Sequence, residues 1–294
     1  MIGITGEPDE VMPIALVIRM AVEVMLEYEL FKYEKMQRRN MKEQLLNLLL
    51  YNEALQPDDW TRFTKTLQMK EEAVRIPVLI SLENGDDIRE NILDVFRNGK
   101  EHSAQDLLCL TRDGDILLYK ALNSELPDLM QNYKYLIGDA ISDALRYMRS
   151  VGCRYAIYVG SFQSDFRYYR MGYGHCIWLK KQMEREGSYY FYDCCGTYFM
   201  SILPLRELQV VYYAIERSIG SKFTDSFKEI MEALRLANFN LNNASKLLHV
   251  HKNTLVYRLD KIRVALNVDP IGSNNDREFV NGFYNYLKRK EMIY

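Results

Sequence analysis

The sequence lacks the patterns of a secreted or membrane-spanning protein. Its cysteines are odd in number and have no regular spacing, so they do not form a disulfide framework. No apolar run is long enough to cross a bilayer, and the N-terminus lacks the regions of a signal peptide. We therefore expect a cytoplasmic protein. All five cysteines lie among apolar residues, which favours buried free thiols: Cys109, Cys153, Cys176, Cys194 and Cys195.

The usual cofactor motifs are also missing. The chain has no Gly-x-x-x-x-Gly-Lys-Ser/Thr loop and no Gly-x-Gly-x-x-Gly loop, so no phosphate-cradling turn is predicted. His249 and His251 are two positions apart, and Cys194 and Cys195 are distant in the chain, a spacing that matches no zinc site. We predict neither a cofactor nor a bound metal.

The chain has little net charge, but the charge is unevenly distributed. Lys and Arg number 38 and Asp and Glu number 40, giving a formal charge of −2. Residues 221–294 hold 12 of these cations and 8 of these anions, which leaves 26 and 32 for residues 1–220. A basic C-terminal segment on an acidic body indicates an anionic partner for that end, although a solvated surface has the same composition.

The first fifty residues read as one long helix that begins near Pro8. A 3-4 spacing of apolar residues is typical of a coiled-coil seam. The register breaks at Lys32–Lys35 and resumes, shifted, at Met41, Leu45 and Leu48. We predict pairing with a second copy; the alternative is a helix packed on its own chain. The seam consists of Val11, Ile14, Ile18, Ala21, Met25 and Tyr28.

The middle of the chain alternates strands and helices. Strands are predicted at 76–83 and 154–162, and a hairpin turns at Asp113-Gly114. Helices follow the first strand and begin at Pro127, so the order is strand-helix-strand-strand-helix-strand, the ferredoxin-like plan. A further helix over about 165–183 and a strand pair around "YYFYDCCGTYFMSIL" extend it.

From about residue 225 the pattern is all-helical, with Thr224 or Asp225 as the first cap. Two helices flank a tight turn at about His249, the helix-turn-helix arrangement. A small Ala on the first helix allows the second to cross it closely. The predicted inward positions are Ala244, Leu247, Leu248, Val250, Leu255, Leu259 and Ile262.

The outward face of the second helix carries residue types that suit DNA. Lys can donate to guanine, Asn can pair with adenine, and Val can contact the methyl group of thymine. Lys, Arg and Thr side chains can bind phosphates. The alternative is a hairpin inside a larger core with solvated charges. The base-edge candidates are His251, Lys252, Asn253, Val256 and Tyr257. The phosphate candidates are Lys246, Thr254, Arg258 and Lys261.

The stretch "LLHVHKNTLVYRLDKI" resembles the C-terminal helix-turn-helix of PucR/CdaR-type (carbohydrate diacid) transcription regulators. The matching positions are Leu248, His251, Asn253-Thr254-Leu255 and Tyr257-Arg258-Leu259. It is also similar to the motif of Fis-type nucleoid proteins, whose turn glycine is replaced here by His249, a residue that tolerates a left-handed backbone. Val256 stands where the relatives often carry Arg or another polar residue.

The resemblance extends over nearly the whole chain. Residues 3–27 are similar to the last strand and exit helix of the family's sugar-diacid recognition domain, and residues 75–205 to its GGDEF-like domain. The resemblance implies an α+β fold with three parts. Residues 1–55 would be a remnant of the effector domain and a dimerisation helix. Residues 75–205 would form the GGDEF-like domain, and residues 221–294 the helix-turn-helix domain. Most of the effector domain would lie before Ile2, so we expect an internal Met start or a natural short form.

The resemblance implies a dimeric, DNA-binding transcription regulator whose effector would be a sugar diacid. The first alternative is a nucleotide cyclase or phosphodiesterase, but the hairpin "TRDGDIL" lacks the Gly-Gly and adjacent acid pair of active cyclases. We therefore predict no catalytic activity. The second alternative is a partner that pairs with full-length relatives without binding DNA.

Overall fold

The computed structural model describes residues 8–52, 56–83, 86–122, 126–183 and 185–292. Within this chain, two units separate between Asp193 and Cys194. The strand end expected before the first helix lies outside the described residues. No helix in the described ranges is long and apolar enough to cross a membrane.

The N-terminal unit begins with α1 (Pro8–Tyr51), a single helix of 44 residues. At 1.5 Å per residue it is about 66 Å long. Its last turns are buried through Leu45, Leu46, Leu49 and Leu50 and contact α2 (Pro57–Leu67) and the sheet. From Met12 to Met36, by contrast, most of the large apolar side chains are exposed, and Ile18 and Val22 are half-buried. The predicted long helix is therefore confirmed, and only its C-terminal end packs on the described part of its own chain.

A five-stranded sheet forms the centre of this unit. The strands are β1 (Arg75–Glu83), β2 (Leu107–Leu110), β3 (Ile116–Ala121), β4 (Arg154–Val159) and β5 (Gly187–Tyr190), in the order β2-β3-β1-β4-β5. The first three pairings are antiparallel and β4-β5 is parallel. The predicted element order and the hairpin at Asp113-Gly114 are confirmed, and Gly114 has a left-handed φ of 80°.

Helices cover both faces of the sheet because successive residues of β1 point in opposite directions. On one face, Ile76, Val78 and Ile80 join a core with α3 (Arg89–Asn98), α4 (Leu126–Ala140) and α5 (Ser142–Ser150). The helix predicted from Pro127 thus divides at Ile141. On the other face lies α6 (Tyr169–Gln182), whose Tyr169 stacks on Tyr119 with ring centroids 4.4 Å apart.

The strand pair predicted around "YYFYDCCGTYFMSIL" is wrong in its second half. Only Gly187–Tyr190 forms a strand, and the chain continues as α7 (Phe191–Ile202). Phe, Tyr and Cys favour strands chiefly where a sheet neighbour half-buries them. No described strand lies beyond β5, and only Phe191 of α7 is buried.

The C-terminal unit is helical, as predicted. It contains the end of α7, then α8 (Leu205–Ile219), α9 (Ser221–Leu236), α10 (Leu241–Leu247), α11 (Lys252–Leu266) and α12 (Asn274–Glu291). The cap prediction at Thr224 or Asp225 is wrong, because α9 starts at Ser221 directly after Gly220. Thr224 is a buried helical residue whose hydroxyl donates to the Ser221 carbonyl at 2.7 Å.

The cysteine prediction is partly right. None of the five cysteines is in a disulfide, and Cys109 and Cys176 are buried. Cys153, Cys194 and Cys195 are only half-buried, since the residues around them lie at element ends or on the little-buried α7.

Candidate nucleic-acid interface

The turn between α10 and α11 is as tight as the sequence predicts. His249 takes the left-handed conformation, with φ of 54°. Its N–H donates to the Lys246 carbonyl at 3.2 Å, and the Val250 N–H donates to the Ser245 carbonyl at 3.0 Å. These bonds satisfy carbonyls at the end of α10 that would otherwise lack partners. The predicted helix-turn-helix and the conformational role of His249 are confirmed.

Most of the predicted inward positions fill the core of the unit. Ala244, Leu255, Leu259 and Ile262 are at most 2% exposed, and Leu248 and Val250 are half-buried against them. The prediction that Leu247 points inward is wrong, because half of its surface is exposed. The inward positions of the short α10 and its C-cap are spaced by three, four and seven residues: Leu241, Ala244, Ser245 and Leu248. Leu247, one position from Leu248, lies about 100° away around the helix.

The N-terminus of α11 is capped by one of the candidate residues. The Nδ1 atom of His251 accepts a hydrogen bond from the Asn253 N–H at 3.2 Å. An accepting Nδ1 carries no proton, so the neutral imidazole has its proton on Nε2. The exposed ring of His251 therefore keeps one donor, at Nε2, for a group outside the chain.

The other base-edge candidates follow on the first two turns of α11. Lys252, Asn253 and Tyr257 are exposed, and Tyr257 is 62% exposed despite its large ring. Val256 is half-buried, so its methyl groups are less available than its predicted outward position suggests. The exposed side chains near the N-terminus of α11 are those that a helix in a major groove presents to base edges.

The phosphate candidates differ in how free they are. Lys246 and Thr254 are exposed. Arg258 is half-buried, and its Nη1 atom lies 3.4 Å from Oε2 of Glu229 on α9. The Nζ atom of Lys261 lies 4.7 Å from the centre of the Tyr257 ring, a cation–π contact that holds the two side chains together.

The end of α11 adds a cation that is already paired. Arg263 contacts Asp260 at 2.9 Å and Asp269 at 2.7 Å. Hydrogen bonds from its guanidinium lower the pKa of the Asp269 carboxylate. Arg263 thus fixes the loop after α11, and the unpaired positive charge of α11 lies at Lys252 and Lys261 among its described residues.

Sequence reasoning missed two residues that shape this interface. Asn240 caps α10, its side-chain oxygen accepting from the N–H groups of Asn242 and Asn243 at 3.0 and 3.1 Å. An Asn before a helix is a common cap, so the sequence carried that signal. Glu229 was missed because it lies 29 positions before Arg258 and only the fold brings the two together.

Comparison with known proteins matches two parts of the chain. Residues 228–275 match the model of the PucR C-terminal helix-turn-helix domain, a range that contains every candidate residue named above. Residues 1–49 match the model described as putative sugar diacid recognition.

One protein sequence and one solved structure align with most of the chain. An uncharacterized protein of Haemophilus influenzae is 26% identical over 280 residues, which cover 89% of this chain and 69% of that protein. A crystal structure of a regulator of polyketide synthase expression from Bifidobacterium adolescentis aligns with a TM-score of 0.38 and 12% identity, covering 86% and 92% of the two chains.

Proposed function

We propose that this chain, in which a PucR-type helix-turn-helix domain follows a sugar-diacid recognition segment, is a sequence-specific transcription regulator that binds operator DNA as a homodimer. The observation that carries the proposal is the exposed, capped N-terminus of α11 inside the matched range 228–275. A helix with buried Leu255 and Leu259 behind it and exposed Lys252 and Asn253 in front is suited to the major groove.

The candidate residues divide into two roles. His251, Lys252, Asn253 and Tyr257 would contact base edges, with Val256 as a lesser apolar contact. Lys246, Thr254, Arg258 and Lys261 would hold phosphates, which orient the protein without reading sequence.

The direct test is selection from randomised duplex DNA with the full-length chain at low salt. We expect an enriched motif made of two inverted half-sites whose centres are about 34 Å apart, one turn of DNA. The enriched duplex and a scrambled duplex are then compared by gel shift. Equal binding to both, or no enrichment after repeated rounds, would contradict sequence-specific recognition.

The proposed dimer rests on the exposed apolar surface of α1. Ile14, Met25 and Tyr28 of the seam are 56–67% exposed in the single chain, and Ile18 is half-buried. The side chain of Val11 lies outside the described residues. Apolar surface of this extent on a soluble helix marks an interaction site, and the 4-3 spacing suits a second copy of the same helix.

The middle domain would be GGDEF-like but not catalytic. Asp115 of the β2-β3 hairpin is buried and its Oδ2 atom lies 2.6 Å from Nζ of Lys180. Because the Asp115 carboxylate is paired with an ammonium group, it would not be available to bind the metal ion of a cyclase. Incubation of the full chain with GTP and Mg²⁺ tests the alternative, since cyclic product would identify an enzyme.

The match at residues 1–49 makes a sugar diacid the effector class to test. We would measure operator affinity with and without galactarate. A change in affinity would support effector sensing by this chain.

A further inference from the structure

The N-terminal unit contains a cavity between the second half of α1 and the segment from α3 to β2. Its volume is about 470 Å³, within the range of roughly 300–1,000 Å³ that small-molecule sites occupy. Leu67 and Leu108, both buried, give it an apolar floor. We call it the basic cavity. Among the described residues, its charged lining consists of the carboxylates of Asp94 and Asp106 and of six cations: Lys32, Lys35, Arg38, Arg39, Lys42 and Arg97.

Most of these cations form a stripe on α1. Lys32, Lys35, Arg39 and Lys42 follow one another at spacings of three, four and three residues, so they share a helix face. Like charges at such spacings destabilise a helix. The stripe starts where the apolar seam of α1 loses its register. Arg39 pairs with Glu43 one turn further along the helix, whereas no ion pair of the described residues involves Lys32, Lys35 or Lys42.

The two guanidinium groups of Arg39 and Arg97 are held in place by carboxylates. The Oε1 atom of Glu43 lies 3.1 Å from Nε of Arg39 and 3.3 Å from Nη2 of Arg97. Glu90 contacts the same two groups at 3.4 and 3.6 Å, and Asp94 contacts Arg97 at 2.9 Å. Among the described residues, the cations of the lining without a carboxylate partner are therefore Lys32, Lys35, Arg38 and Lys42.

A half-buried lysine in the same lining, Lys42, has no carboxylate partner among the described residues. The Nζ atom of Lys42 donates to the carbonyls of Ala104 and Asp106 at 2.7 and 2.9 Å, and no ion pair links it to a carboxylate of the described residues. Burial lowers the pKa of this ammonium group. The Asp106 carboxylate is engaged elsewhere, by Lys120 at 3.0 Å and by the Ala121 N–H at 2.8 Å.

From these contacts we infer that the basic cavity binds a small phosphorylated organic molecule with at least two negative charges. A phosphate group carries about −1.5 to −2 at pH 7, whereas a carboxylate carries one charge, so phosphate suits so dense a set of cations better. Arg forks and Lys ammonium groups both bind phosphate oxygens. The apolar floor at Leu67 and Leu108 would contact the organic part.

Isothermal titration of the full chain with inorganic pyrophosphate tests the inference. The variant combines Lys35→Glu and Arg38→Glu, two exposed positions whose replacement leaves the core intact. Lys181→Glu, an exposed charge reversal on α6, is the matched control. We expect saturable binding to the natural chain and to the control, and a dissociation constant at least ~100-fold higher for the double variant, about tenfold for each cation.

Three results would overturn the inference. The first is no saturable binding of pyrophosphate by the natural chain, or equal binding by the double variant. The second is tighter binding of citrate than of pyrophosphate, which would indicate a carboxylate site. The third is a loss of operator DNA affinity in the double variant as large as its loss of pyrophosphate affinity, which would indicate that these cations contact DNA phosphates.

Discussion

At the scale of single residues, the backbone of His249 is strained, and the effect of this strain on stability can be measured. Its φ of 54° lies in the left-handed region, which costs most L-residues about 1–3 kcal/mol, with His penalised less than most. We expect His249→Gly to raise the free energy of unfolding by up to ~1 kcal/mol, because relief of strain outweighs the extra freedom of Gly in the unfolded chain. His249→Val should lower it by ~1–3 kcal/mol, since β-branched residues avoid this region.

Urea unfolding of the full-length variants measures both changes. If the Gly and Val variants lose the same stability, the contacts of the imidazole, and not the backbone conformation, would explain the residue.

The ion pair between Arg258 and Glu229 gives a second prediction at this scale. The pair is partly exposed and 3.4 Å long, so it contributes at most about 1 kcal/mol and competes with any phosphate for the guanidinium. We expect Glu229→Gln to raise affinity a few-fold for operator and scrambled DNA alike. Glu278→Gln, an exposed change of the same charge on α12, is the control. An equal rise in both variants would mean that net charge, and not a freed Arg258, is responsible.

At the scale of elements, α8 and α12 are joined by a carboxylate whose titration should appear in the stability. Tyr286 and Lys290 donate to Glu216 at 2.7 and 2.8 Å. Burial raises the pKa of Glu216, but these hydrogen bonds outweigh it and lower the pKa overall. A lowered folded-state pKa adds stability above the unfolded value of about 4.3. That stability is lost as pH falls through the folded-state pKa.

Measurement of the melting temperature between pH 7 and pH 3 checks this effect. Glu216→Gln should lower the melting temperature at pH 7 and flatten its decline in acid. The free energy of unfolding at pH 7 should fall by about 1 kcal/mol at most, since the carboxylate is partly solvated. A variant that follows the natural chain at every pH would contradict a role for this carboxylate.

The seam of α1 gives the second prediction about an element. Met25 lies on the 4-3 seam, and its neighbour Leu26 does not, yet both are about equally exposed at 67% and 59%. We expect Met25→Glu to convert the dimer into a monomer in light scattering at micromolar concentration, because charge at a seam position is buried by pairing. Leu26→Glu should leave the dimer intact. Dimers in both variants, or a monomeric natural chain, would rule out the seam.

The elements also show what a sequence can reveal. The helix-turn-helix was predictable because its inward positions, such as Leu255 and Leu259, repeat at helical spacing and its turn is short. Helix α8 was not predicted, although its sequence carries an equally regular helical signal in Leu205, Leu208, Tyr212, Ile215 and Ile219. The strand predicted in place of α7 failed because sheet preference depends on neighbours that the chain does not supply there.

The site itself was predictable only in part. The exposure of Lys252 and Asn253 follows from the phase of the buried leucines. The contacts of its charged residues do not follow from the sequence, since Glu229 meets Arg258 across helices and Glu90 meets Arg39 of the basic stripe only after folding. Long-range charge pairing leaves no local mark in a sequence.

At the scale of the whole molecule, the chain separates its tasks along its length. In the sequence, the helix with exposed apolar side chains comes first, and the small helical unit that contains the helix-turn-helix comes last. The acidic excess of residues 1–220 and the basic excess of 221–294 agree with this division, because only the second would meet a polyanion. Dimer formation through α1 would bring two copies of α11 to one operator, which multiplies affinity through effective concentration.

The central claim is that α11 reads DNA sequence, and fluorescence anisotropy of four chains on a selected operator and on a scrambled duplex tests it most directly. Asn253→Ala should lose about 1–3 kcal/mol on the operator and little on scrambled DNA. Lys261→Ala should weaken both and reduce the salt slope by about one. Lys222→Ala, an exposed change on α9, should match the natural chain. An Asn253→Ala variant that binds both duplexes like the natural chain, or loses equally on both, would contradict the claim.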